Sequence, residues 1–153
     1  MFAIHKISFT KFYPLNITIM ITMNELLSNQ VLLSELDAET QKNLNELLTK
    51  INEVRTSWGK PMTVTSGFRT MKHHLEIYAK KGTDPAKIPM KSNHLYGRAV
   101  DISDPNRDLQ KWCTANEPLL ASIGLWMEDF SITNNWCHFQ INPPKSGKRW
   151  FMP

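Results

Sequence analysis

Three side chains in this sequence are of types that suit a catalytic metal: His94, Asp101 and His138. A hydrolytic zinc site takes three protein ligands and leaves a fourth position open for water or substrate, and imidazole nitrogen and carboxylate oxygen are suitable donors. The first two lie in the run Ser92-Asn93-His94-Leu95-Tyr96-Gly97-Arg98-Ala99-Val100-Asp101. His94 reads as a turn residue ahead of a strand and Asp101 as a residue on it, with Gly97 permitting the tight backbone between them. Ala99 stands two positions before Asp101, so strand alternation puts both on one face, where a small residue leaves room for metal and substrate. The third donor is expected from a neighbouring strand. In Trp136-Cys137-His138-Phe139-Gln140, alternation places Trp136, His138 and Gln140 on one face and turns Cys137 and Phe139 into the core. A histidine between apolar neighbours on a strand is, taken alone, more often structural than metal-bound. His138 is a candidate because of the residues it would join.

Other chemistry is poorly represented. His73 and His74 are adjacent on a predicted helix, so they cannot form one two-histidine face, and they read as surface or packing residues. The sequence has no nucleophile elbow, P-loop or dinucleotide fingerprint. Cys113 and Cys137 form no CxxC pair and are flanked by apolar residues, which fits small buried side chains. The formal net charge of +4 favours anionic partners. The basic residues are scattered, however, with no basic arm and no arginine–aromatic interleaving, so nucleic acid is not an expected partner.

Positioning these residues falls to a chain of 153 residues, 41% hydrophobic and 21% charged, which suits one globular domain. Asp37 is a good helix N-cap with Glu39 in the first turn. Behind it Leu44, Leu47, Leu48, Ile51 and Val54 recur at helical spacing, predicting an amphipathic helix that ends near Trp58-Gly59. A short strand is predicted over 62–65 with Val64 buried, followed by a turn at Ser66-Gly67-Phe68-Arg69 and a helix over 71–80. Residues 82–93, with Gly82, Pro85 and Pro89, read as a loop. A strand follows over 98–102, then helices over 108–115 and 118–123. Strands are predicted over 125–127 and 136–141, and Trp150-Phe151 is expected to dock the tail on the body. This order predicts an α+β domain with a small, mainly antiparallel sheet flanked by helices. Residues 23–153 are taken as that single domain and residues 1–22 as a peripheral extension, consistent with a translation start at Met20 or Met23. The apolar stretch from Tyr13 to Met23 is too short and polar for a membrane span and lacks a small-residue cleavage site. The expectation is a monomer made in the cytoplasm without a clear signal peptide and not inserted in a membrane.

The run H-x-x-G-x-A-x-D over His94–Asp101, preceded by Ser92 and followed by the Trp-x-His strand, resembles the zinc D-Ala-D-Ala carboxypeptidases and the related phage endolysin peptidases. Their fold is also that of the hedgehog signalling domain. Ser66-Gly67-Phe68-Arg69 is similar to that family's S-G-[FY]-R turn, and Pro143-Pro144-Lys145-Ser146-Gly147 to the closing segment of small phage-type members. The resemblance implies a zinc peptidase acting on peptidoglycan peptide at the cell wall, either as a D,D-carboxypeptidase or as an L-Ala-D-Glu-type endopeptidase, and a role in phage lysis. It implies His94, Asp101 and His138 as zinc ligands, Arg69 as the fork that holds a substrate carboxylate, and Ser92 as a hydrogen-bonding group near metal or substrate.

The sequence departs from the family at one position. An acid commonly stands three residues before the last histidine, and here that residue is Asn135, whose amide cannot serve as a general base. Glu128 and Asp129, just ahead of the final strand, are the replacements. A hairpin would bring them beside His138, and small phage-type relatives favour Glu128. Asn135 also leaves room for a different class of protein, a zinc-containing wall-binding or virion structural module without turnover.

Overall fold

The computed structural model describes residues 19–153. The element order is α1 (Met23–Leu27), α2 (Ala38–Trp58), β1 (Val64–Ser66), α3 (Met71–Lys80), β2 (Ala99–Ser103), α4 (Asp108–Ala115), α5 (Glu117–Ile123), β3 (Trp126–Glu128), β4 (Trp136–Gln140) and β5 (Trp150–Phe151). Short 3-10 turns cover Leu33–Glu35, Pro85–Lys87 and Asn93–Tyr96. The fold is α+β, as the order of elements predicts.

The long helix α2 begins where Asp37 caps it, its carboxylate accepting from the Thr40 N–H at 2.9 Å. It stops at Gly59, whose φ of 71° an L side chain adopts at a cost. Its inward stripe, Leu44, Leu47, Ile51 and Val54, is fully buried, and each such side chain contributes about 1.5–3 kcal/mol through burial. Leu48, grouped with that stripe by spacing, packs only at its margin. Val64 is likewise half-buried, and Met62 fills the core position beside it.

The five strands lie in the order β1-β2-β4-β3-β5. The first four pair antiparallel and β5 pairs parallel to β3. This last pairing is how the tail docks, with Asp129 donating its N–H to the Phe151 carbonyl. One face of the sheet supplies Val100, Ile102, Cys137, Phe139 and Met127 to a core shared with α2, α4 and α5. By strand alternation the opposite face carries Ala99, Asp101, His138, Gln140 and Glu128.

Two features depart from expectation. The first is α1, where Thr22 and Glu25 form a reciprocal capping box. Thr22-Met23-Asn24-Glu25 carries the sequence pattern for it, but five residues give too short a hydrophobic period to register as a helix. The second is the boundary drawn between residues 22 and 23. Residues 1–18 lie outside the described residues, but Ile21 is 4% exposed within the core and exchanges backbone hydrogen bonds with the Asn52 side chain. Ile21 therefore packs with the body, and Thr22 caps α1. Among the described residues, no helix is long and apolar enough to cross a membrane.

Candidate metal centre

Asp101 and His138 are direct cross-strand partners in the β2–β4 ladder. His94 arrives from the 3-10 turn Asn93–Tyr96, which Gly97 ends with φ 67°. A Cβ at Gly97 would meet the Leu44 Cγ at 2.7 Å, so glycine serves there both for conformation and for close approach to α2. Ligand-capable atoms of His94, Asp101 and His138 all lie within 4.8 Å of one another. The two imidazole rings stand edge to face with centroids 5.3 Å apart.

Hydrogen bonding around these rings bears directly on metal binding. The Nδ1 of His94 lies 2.8 Å from the Gly67 carbonyl oxygen, which can only accept, so Nδ1 carries the proton. The Nε2 of His94 then turns its lone pair to Asp101 Oδ2, 3.3 Å away. The Nδ1 of His138 lies 2.9 Å from Asp101 Oδ1. Its other nitrogen, Nε2, lies 3.0 Å from Gln140 Oε1. Ring nitrogens thus converge on a carboxylate from two sides, an arrangement that could hold a metal ion. Burial opposes ionisation of Asp101, but the imidazole of His94 and then the contacts to His138 outweigh it and hold its carboxyl well below the usual carboxylate range. Burial pulls the pKa of His138 down, but the hydrogen bond and charge of Asp101, with the more distant charge of Glu128, carry it above the ordinary histidine value. The three side chains are 5–9% exposed. Two histidines and one carboxylate, with their other donors engaged by protein, fit a divalent cation of zinc's preference.

The remaining candidate residues divide. Glu128 borders the same cleft as His138, a cavity of about 610 Å³ that Ser92 also lines. Asp129 does not join them. It falls just beyond β3, and its carboxylate accepts from the Ser131 N–H at 2.9 Å in the following turn. With Met127 buried in the core, alternation sends Glu128 to the site face. Ser92 stands ahead of the His94 turn without making a side-chain cap. Asn135 is exposed in the turn before β4, and its carbonyl accepts from the Asp104 N–H.

Arg69 lies beside the carboxylate of Asp101. Its Nε donates to Ser66 Oγ at 2.8 Å and one terminal nitrogen lies 3.4 Å from Asp101 Oδ2. Its backbone N–H also donates to the His94 carbonyl at 3.0 Å. His74, read as a surface or packing residue, is fully buried and stacks against Tyr78 at 4.9 Å, whereas His73 is exposed. Cys113 and Cys137 are buried free thiols.

No curated protein matches this sequence. A crystal structure of the Serratia marcescens L-Ala D-Glu endopeptidase ChiX matches with a TM-score of 0.49 and 20% identity, covering 74% of this chain and 93% of that one. The sequence itself matches the Peptidase M15 family over residues 20–138, a span that holds all three converging side chains. The chain belongs to the Peptidase M15 family and is a metallopeptidase.

Proposed function

We propose that this metallopeptidase is a zinc enzyme that hydrolyses peptide bonds in the stem peptides of bacterial peptidoglycan, with His94, Asp101 and His138 as the metal ligands. The observation that carries the reading is the donor set itself. Both imidazoles have one nitrogen tied to a protein oxygen and the other turned to a single buried carboxylate.

His94, Asp101 and His138 would hold the zinc, which would supply polarisation of the scissile carbonyl and a water of lowered pKa, about 7. Glu128, at the cleft beside His138, accepts the water proton and delivers it to the leaving amine. Arg69 holds Asp101 in place and sets a permanent positive charge beside it. Ser92 offers its hydroxyl to substrate from the same cleft wall. Lys91 and Lys145 also border this cleft, where Glu128 is the single acidic residue among the described residues. That balance suits peptides rich in free carboxylates, as stem peptides are. The resemblance to small phage-type members makes lysis of the host wall the setting in which such an enzyme would act.

The test is incubation of the purified protein with peptidoglycan, with and without a chelator, while new amino groups are counted. Chelator-sensitive release that zinc restores is expected. Mass spectrometry of the products then separates loss of a terminal D-Ala from cleavage between L-Ala and D-Glu. Binding to the wall without release would favour the non-catalytic module.

A further inference from the structure

We propose that Gln140 is the positioning residue that decides which nitrogen of His138 faces the metal. The proposal rests on the zinc-site reading above and adds a residue to it. Gln140 Nε2 lies 2.5 Å from the Asn142 carbonyl oxygen, which can only accept, so the amide nitrogen of Gln140 must point there. Its Oε1 must then face the other way, and Oε1 can only accept. Two groups meet it: Asn93 Nδ2 at 3.0 Å and His138 Nε2 at 3.0 Å. His138 Nε2 is therefore the protonated nitrogen, and Nδ1 is the one that the metal takes, beside Asp101.

Burial makes this chain of donors binding. Gln140 is 4% exposed and His138 5% exposed, so solvent offers little alternative partner to either. The register pairs Gln140 with Ala99, a fully buried small residue, which leaves the carboxamide space on the site face. Asn93 is next to His94 in sequence, so Gln140 also joins the turn carrying one imidazole to the strand carrying the other. Partners of this kind fix the orientation and tautomer of a ligating histidine, and their loss typically costs 10–100-fold in metal affinity.

Two measurements test this, neither of which depends on turnover. In the zinc-loaded wild-type protein, long-range proton–nitrogen NMR of the imidazoles is expected to show His138 protonated at Nε2 and coordinated through Nδ1. Coordination through Nε2 overturns the proposal while leaving the zinc site intact, whereas a wild-type protein that binds no zinc overturns the functional reading itself. The second measurement is zinc affinity by chelator competition. Gln140→Met, similar in length but without the acceptor, is expected to bind zinc about 10–100-fold more weakly. Gln140→Glu keeps an acceptor at that point and is expected to stay within a few-fold of wild type. Equal affinity in wild type and Gln140→Met, or equal loss in both variants, overturns the role.

Discussion

Asp101 and Glu128 are both acids near one cleft, and the proposed function gives them different work. Asp101 is buried between two imidazoles and Arg69, which suits the ligand role proposed for it. Glu128 stands on the cleft wall, where the proposed general base is placed. Asp101→Ala is therefore expected to lose bound zinc, because two imidazoles alone hold the metal poorly, and full metal occupancy in that variant would remove Asp101 from the ligand set. Glu128→Gln is expected to keep zinc and lose turnover by about 10²–10⁴-fold, with undiminished hydrolysis pointing away from Glu128 as the base. The sequence carries the identities of His94, Asp101 and His138 and their placement on strand and turn, because alternation and a glycine are local signals. It does not choose between Glu128 and Asp129, since the phase of a three-residue strand is set by which neighbour the core accepts, here Met127. Nor does it reveal that Arg69 turns to Asp101, a contact made across 32 positions. Gln140 was legible as sharing the His138 face, but its three hydrogen bonds depend on where Asn93 and Asn142 come to lie.

The elements that hold the site were legible to the degree that they are long. The 21 residues of α2 and the ten of α3 give enough periods to be read, α2 with its caps, whereas α1 and the pairing of β5 depend on tertiary contact. The turn after β1 shows the cost of that dependence. Gly67 packs so close to α1 that a Cβ on it would stand 2.1 Å from the Leu26 carbonyl oxygen, and Phe68 donates its N–H to the same oxygen. Gly67→Ala must push two backbones apart, which should cost about 1–3 kcal/mol in a denaturant titration. Because the Gly67 carbonyl holds His94 Nδ1, the same change is expected to weaken zinc binding. An unchanged denaturation midpoint would mean that α1 separates from the turn without penalty. At the start of α2, Asp37 accepts from the backbone N–H and then the side chain of Thr40, which lowers its pKa. A carboxylate whose folded pKa is depressed stabilises above its unfolded value and loses that contribution as pH falls through the folded one. Asp37→Ala should lower the melting temperature at pH 7, and the difference from wild type should shrink below about pH 4. Asp37→Asn keeps a capping oxygen and should flatten that pH dependence. A gap between wild type and Asp37→Ala that stays constant down to pH 2 would exclude the cap charge as its source.

The metal site and the core share the same two strands, so the cation and the fold are expected to stabilise one another. In β4, His138 faces the site while Cys137 and Phe139 face the core, and in β2, Asp101 alternates with the buried Val100 and Ile102. Unfolding that releases the core separates β2 from β4 and takes the ligand set apart. A ligand that binds only the folded state at 100 times its Kd adds about 2.7 kcal/mol, which lowers the unfolded population about a hundredfold. Two internal reporters can read this. Cys113 and Cys137 are free and fully buried, and burial pushes both thiols up from their ordinary value, so alkylation must wait for opening. With closing faster than alkylation, the labelling rate follows the open population. Native-state labelling by iodoacetamide is therefore expected to slow about a hundredfold when zinc is present at 100 times its Kd, and to show no zinc dependence in Asp101→Ala. A wild-type labelling rate indifferent to zinc would show that the thiols open without parting β2 from β4, and would break the proposed link between the metal and the core.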